Sequence, residues 1–168
     1  MTVIASTAEL PESTRPVVAC LAAANHDHPV VLLPDSARTA VEAAAALGCS
    51  VAQIAKSIVF RRLADDAAVL VVASGSNRVD EAKVAALVGP IGRADARFVR
   101  QMSGYAIGGV PPIAHATPPV TLLDQDLFAL DALWAAAGHP HAVFRLTAAQ
   151  LAELTGARAV DVAVAPAP

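Results

Sequence analysis

The side chains able to do chemistry in this sequence are few and widely spaced. Lys56 is the one charged residue in VAQIAKSIVF, residues 51–60. An ammonium in such a stretch either snorkels along its own apolar stem to water or points into a cleft. A surface lysine at a helix end, favoured by the helix dipole, is equally open from the residues alone. Further on, GYAIGGVPP, residues 104–112, crowds glycine and proline around a small apolar filling. Its Gly108-Gly109 pair can take positive φ and lets a ligand reach the backbone N–H groups with no Cβ in the way. Such groups can hold an anion or the oxyanion of a tetrahedral intermediate. Taken by itself the stretch reads as an ordinary turn, and it matches neither the dinucleotide fingerprint nor the phosphate loop.

Five histidines fall as His26-Asp27-His28, His115 and His139-Pro140-His141. Two histidines one residue apart on a strand share a face, which is a conceivable start to a metal site. Both pairs lie beside prolines at loop edges without a cysteine or carboxylate motif, so solvated loop histidines are the preferred reading and no metal is predicted. His139 and His141 remain candidates for substrate contact or proton transfer, since neutral imidazole can do either near pH 7. No GxSxG is present, and Ser57, Ser74, Ser76 and Ser103 read as strand-end and turn residues rather than nucleophiles. Arg78, Lys83, Arg93, Arg97 and Arg100 form a basic stretch that suits a solvated helix face or a phosphate rim.

The elements that must position these groups are legible in outline. Thr14-Arg15-Pro16 opens a helix through VVACLAAAN, and PVVLL, residues 29–33, is a strand. Thr39 and Glu42 make a capping box for AVEAAAAL, closed by Gly48; Ser50 and Gln53 repeat the device in a short helix that brings Lys56 to the mouth of the next strand. Residues 57–75 predict a β-hairpin around the acidic turn ADDA. Asp80 or a neighbour starts DEAKVAALV, closed by Gly89-Pro90, and Asp95 can cap ARFVRQM, which runs into the glycine loop. VTLLD is a strand, DLFALDALWAAAG a helix and HAVFRL a strand. Thr147 and Gln150 cap AAQLAELTG, and ARAVDVA is the last strand. The fold class implied is α+β, one domain with a curved, mostly antiparallel or mixed sheet flanked by helices.

Composition fits that picture. The chain has 168 residues, 55% of them hydrophobic and 16% charged, with a formal net charge of −3. This is one folded domain spanning 1–168, with loose ends expected at 1–12 and 164–168. The mild acidity argues against broad attraction to nucleic acid but leaves room for a local basic rim at one RNA end. Two cysteines, Cys20 and Cys49, are too few for a disulfide framework, and no secretion signal opens the chain. A reducing cytoplasm is the expected location; no membrane span, DNA or cofactor is expected, and monomer and homodimer are both open.

Four segments in this order, GCSVAQIAKSIVF, SGSNRVDEAKVAALVG, GYAIGGVPPIAH and HAVFRLTAAQLAELTGARAVDVA, resemble the YbaK/ProX family of bacterial aminoacyl-tRNA deacylases, related to the editing domain of prolyl-tRNA synthetase. The likeness runs over roughly residues 30–163. It implies hydrolysis, in trans, of the ester joining a small, wrongly attached amino acid to the 3′ end of tRNA-Pro or a related tRNA, with a synthetase as a further partner. In the family the lysine matching Lys56 is the central functional residue, and the glycine motif matching Gly104, Gly108 and Gly109 lines the acyl pocket. With it go Ser57, Val110 and His115 as substrate contacts and His139 or His141 beside the water or the ribose. No tyrosine stands near Leu33, where the cysteine-specific members have one, which points toward another small amino acid. A non-catalytic module of the same fold that holds tRNA ends or a synthetase is the alternative.

Overall fold

Seven consecutive buried residues, Ala68–Ser74, set the centre of the molecule, because a strand of AVLVVAS is stable only with both faces covered. In the computed structural model, which describes residues 9–166, this strand lies deep within a mixed sheet. In chain order the elements are α1 (Arg15–Ala23), β1 (Val30–Leu32), α2 (Ala40–Leu47), β2 (Ile54–Arg62), β3 (Ala68–Ser74), α3 (Glu81–Val88), β4 (Ile91–Arg93), α4 (Ala96–Ser103), β5 (Val120–Asp124), β6 (Leu133–His139), β7 (Ala142–Leu146), α5 (Ala148–Thr155) and β8 (Ala159–Val160). The sheet runs β1-β7-β6-β2-β3-β5-β8, with β4 added on β2. Antiparallel pairing holds β2 to β3 and β6 to β7, while β2–β6, β3–β5 and β5–β8 are parallel, so the sheet is mixed as the sequence predicts.

The predicted hairpin is present, paired from Ala55↔Ser74 to Arg61↔Ala68. Its first strand begins earlier than predicted, at Ile54, so Lys56 lies inside β2. The short helix before it is a single 3-10 turn, Val51–Gln53, that keeps the expected Ser50/Gln53 capping box. The other caps hold: Thr39 accepts from the Glu42 N–H, Asp95 from Phe98 and Thr147 from Gln150, each satisfying a helix-start donor.

One element is corrected. DLFALDALWAAAG, residues 126–138, is not a helix but a 3-10 turn, Gln125–Ala129, followed by β6. Leu133, Ala135 and Ala137 are buried in the main core while Trp134 and Ala136 point the other way, the period of a strand. Alanine's helix preference is worth only tenths of a kcal/mol per residue, roughly, and loses to sheet pairing and burial. The small side chains suit a strand with β7 on one edge and β2 on the other. The last predicted strand, ARAVDVA, is shorter than expected: two residues of β8 and an isolated bridge, Val79↔Ala163.

The sheet has unequal faces. One carries the main core, where β3 contributes Leu70 and Val72 against α1, α5 and Tyr105. The other carries two smaller clusters. Val31, Leu33 and Val143 pack with α2, and Val69, Val71 and Leu122 pack with Val84 of α3. Of the ends expected to be loose, 1–8 and 167–168 lie outside the described residues, Leu10 packs on the main core, and the Val164 N–H bonds the Arg78 carbonyl at 2.8 Å.

Candidate active site

The sheet forks at β2. On one edge β2 is paired with β3 throughout; on the other, β6 meets it only at Ile54↔Trp134 and Ala55↔Ala135, and β4 only from Phe60 to Arg62. Residues 56–59 therefore lack a strand on that edge. A pocket of about 190 Å³ opens at the fork, with Lys56 and Ser57 of β2, Trp134 and Ala136 of β6, and Gly108 and Val110 of the glycine loop in its walls. Arg38 and Thr39, just ahead of α2, complete the rim.

Strand alternation puts Lys56 on the face of Ile58 and Phe60, in the gap between the α2 and α3 clusters. Its ammonium donates to the Asn77 carbonyl at 2.6 Å, and among the described residues no carboxylate pairs with it. The charge is thus held in place by a dipole and left available to a ligand. Next to it, Ser57 Oγ is the one buried side-chain polar atom, among the described residues, without a hydrogen-bond partner. A buried hydroxyl left unpaired costs about 1–3 kcal/mol, and strand alternation turns this one to the face of Ala55 and Val59, opposite Lys56.

The glycine loop hangs from the C-cap of α4 at Gly104 and is anchored rather than loose: Tyr105, Val110 and Ile113 are buried in the main core. The Tyr105 hydroxyl donates to the Ala114 carbonyl at 2.6 Å, closing the loop on itself. Its two central glycines serve different needs. Gly108 has φ +95, which L side chains rarely adopt, whereas a Cβ on Gly109 would lie 2.9 Å from the backbone of His139. The loop is therefore pressed onto the bulged turn between β6 and β7.

Several expected contacts are relocated. The Gly109 N–H, expected to face an oxyanion, is spent on the Ala106 carbonyl at 3.0 Å, while no hydrogen bond among the described residues engages the Gly108 N–H. His115 does not line the pocket; its Nε2 lies 2.7 Å from the Pro111 carbonyl behind the loop, where it borders a separate cavity with Cys20. Burial lowers its pKa, the bond to Pro111 working in the opposite direction. Gly104 is a helix cap, not a pocket wall. His139 and His141 flank the pocket without lining it, though Pro140 between them does.

The His139 ring has a defined role in the turn. Its Nδ1 accepts the His141 N–H at 3.1 Å, which leaves Nε2 to carry the proton of the neutral ring. Burial, then the neighbouring His141, push its pKa below the usual histidine range, against a weaker opposing pull from Asp35. The metal option does not assemble: among the described residues no three His, Cys, Asp or Glu side chains gather in a way that could hold an ion. His26 is tied instead to the Arg145 carbonyl at 2.7 Å.

Sequence reasoning missed four contributors. Trp134 was hidden by the predicted helix, and Arg38 had no motif around it. Asn77 and Asp124, which stand behind Lys56, lie in segments that read as a turn and a strand end. The basic stretch divides: Lys83 pairs with Asp161 at 3.0 Å, while Arg97 and Arg100 are exposed on α4 away from the pocket walls.

Comparison with known proteins places this geometry. Residues 34–154 match the family model of the aminoacyl-tRNA editing domain. A crystal structure of a protein proposed to be a trans-editing enzyme for prolyl tRNA synthetase superposes with a TM-score of 0.88 at 44% identity, covering 94% of this chain and 100% of that one. The hypothetical protein APE2540 gives a TM-score of 0.82 at 29% identity, over 89% of this chain and 99% of the other. The uncharacterized protein YwhH of Bacillus subtilis (strain 168) is 31% identical over 132 residues, 78% of this chain and 83% of that protein. No helix among the described residues is long and apolar enough to cross a membrane.

Proposed function

This chain belongs to the aminoacyl-tRNA editing domain family, and from that premise we propose that it is a trans-acting deacylase that frees tRNA-Pro, or a related tRNA, from a small, wrongly attached amino acid. The observation that carries this reading is the Lys56 ammonium, held by a carbonyl rather than paired with a carboxylate among the described residues, in the wall of one small pocket.

An aminoacyl ester is already activated toward water. Water adds to the ester carbonyl carbon, negative charge grows on the carbonyl oxygen, and the bond to the ribose oxygen then breaks, that oxygen taking up the proton. Fixed charge and donors aimed at the growing oxyanion are usually the largest share of such catalysis. Lys56, held by Asn77 rather than neutralised, supplies the cation, and the Gly108 N–H is the amide of the glycine pair left to join it. Ser57 lines the wall beside the acyl end of the substrate. The His139 Nε2–H faces the ribose or the attacking water from the rim. Arg38, ahead of α2, meets the phosphate of the terminal nucleotide.

Size selection follows from the walls. A pocket of about 190 Å³ lies below the roughly 300–1,000 Å³ of sites for drug-sized ligands. Trp134 and Val110 exclude large acyl groups sterically, whereas a missing methylene changes binding by only about 1–3 kcal/mol. The pocket thus rejects larger residues sharply and smaller ones weakly.

The test is a panel of tRNAs charged with alanine, serine, threonine, cysteine and proline, offered to wild type and Lys56→Ala. Release of a small amino acid by wild type alone supports the reading. Binding of every charged tRNA without turnover would make the chain a non-catalytic holder of tRNA ends and end the proposal.

A further inference from the structure

Behind Lys56 lies a buried charge that the proposed chemistry does not use. Asp124, the last residue of β5, is fully buried, and among the described residues no cation pairs with it. Its carboxylate is held by three donors: Ser74 N–H at 3.0 Å and Asn77 Nδ2 at 2.8 Å on one oxygen, and Asp126 N–H at 3.0 Å on the other. Burying a carboxylate is costly unless such bonds answer it, so a residue of this kind at a strand end is holding something.

What it holds is the turn after β3. Ser74 Oγ donates to the Ala52 carbonyl at 2.7 Å, the Gly75 N–H to Ile54 at 2.7 Å, and the Asn77 N–H back to Ser74 at 2.9 Å. The Asn77 side chain is the outer link, since its amide donates to both Asp124 and Asp126 at 2.8 Å. Its own backbone carbonyl is the acceptor that fixes the Lys56 ammonium. Side chain and carbonyl belong to one residue, so locking the first aims the second.

We propose that Asp124 is a positioning residue for Lys56, acting through Asn77: the buried carboxylate fixes the carbonyl that holds the ammonium at the pocket without pairing away its charge. A direct Lys–Asp pair at that distance would satisfy the ammonium and leave less for an oxyanion. A neutral amide between them keeps the negative charge one residue back. This inference rests on Lys56 being the working group of the proposed deacylase.

The experiment exploits the presence of just two lysines, Lys56 and Lys83. Wild type, Asn77→Ala and Asp124→Asn are treated briefly with an N-hydroxysuccinimide acetate, and acetylation of Lys56 relative to Lys83 is read by peptide mass spectrometry. Deacylation kcat and KM are measured on the same samples. Loss of about one hydrogen bond's hold raises the Lys56/Lys83 ratio roughly fivefold in Asn77→Ala. The kcat falls by roughly tenfold with KM little changed, as expected for a group misaimed in the transition state. Asp124→Asn keeps one acceptor oxygen and falls between. Asn77 is half-buried at a turn, so its variant keeps the test open if Asp124→Asn does not fold. An unchanged ratio and kcat in folded Asn77→Ala overturns the inference while leaving the deacylase intact. A raised ratio in Asn77→Ala, together with a wild type that releases no amino acid, overturns the deacylase and leaves the positioning in place.

Discussion

The two ends of the β2–β3 hairpin treat charge in opposite ways. At the turn end, Arg61 bonds Asp66 at 2.6 Å and Arg62 grips Asp65 through two hydrogen bonds at 2.9 and 2.8 Å. The Arg62 guanidinium holds the Asp65 carboxyl down to about 2. These pairs stand in solvent and spend their charge on each other, the arrangement that contributes least to stability or chemistry. At the other end Lys56 donates to a carbonyl and, among the described residues, pairs with no carboxylate; Asp124 and Asp126 are tethered behind it through Asn77. The difference separates a charge used to solubilise a turn from one kept in reserve for a ligand.

The largest way to break this comparison is Lys56→Ala. Removing the cation is expected to slow deacylation by about 100-fold or more, read as a single-turnover rate on a mischarged tRNA, with the fold unchanged by circular dichroism. Gly109→Ala comes next, because its Cβ would press 2.9 Å from the His139 backbone. Overpacking of this kind costs about 1–3 kcal/mol, and the expected result is a lowered Tm together with weaker activity as the loop lifts from the β6–β7 turn. Trp134→Ala sharpens the pocket end alone: it widens the acyl site and is expected to shift preference toward a larger acyl group by roughly tenfold in kcat/KM.

Stability against pH gives a smaller effect. His139 and His115 both have pKa values lowered by burial, so as pH falls from about 7.5 the unfolded chain takes up protons that the folded chain refuses. Stability is therefore fully present above the ordinary histidine range and declines as pH passes down through about 6.5, levelling once the folded histidines are themselves protonated. Denaturant melts at three pH values check the sign, and His115→Gln is expected to flatten the slope. The smallest effect belongs to the turn end, where Asp65→Asn leaves both deacylation and Tm at wild-type values.

How far the sequence reaches can be judged from the same two regions. The hairpin, the capped helices and the glycine loop were legible because their signals are local: alternating β-branched residues, a Thr or Asp three residues before an exposed N–H, a Gly-Gly beside prolines. Lys56 stood out because its neighbours are apolar. β6 was not legible, since LWAAAG has a helix-forming composition and becomes a strand only because β7 and β2 offer it two edges. With β6 misread, Trp134 could not be placed in the pocket. His115 follows the glycine loop in sequence, which suggests a place in the pocket, whereas its bond to the Pro111 carbonyl keeps it behind the loop. Asp124 is invisible for a different reason: one acidic residue ending a strand looks like solvent-facing punctuation, and its burial depends on the turn after β3, some fifty residues earlier, which brings two of its three donors.

The most direct measurement sets the two ends against each other. Single-turnover deacylation of alanyl-tRNA-Pro is followed for wild type, Lys56→Ala and Arg62→Ala under identical conditions. Hydrolysis at the spontaneous rate in Lys56→Ala and at the wild-type rate in Arg62→Ala is the predicted result. Equal rates in the two variants, whether both fast or both slow, would contradict the assignment of Lys56 as the charge that the fold keeps for its substrate.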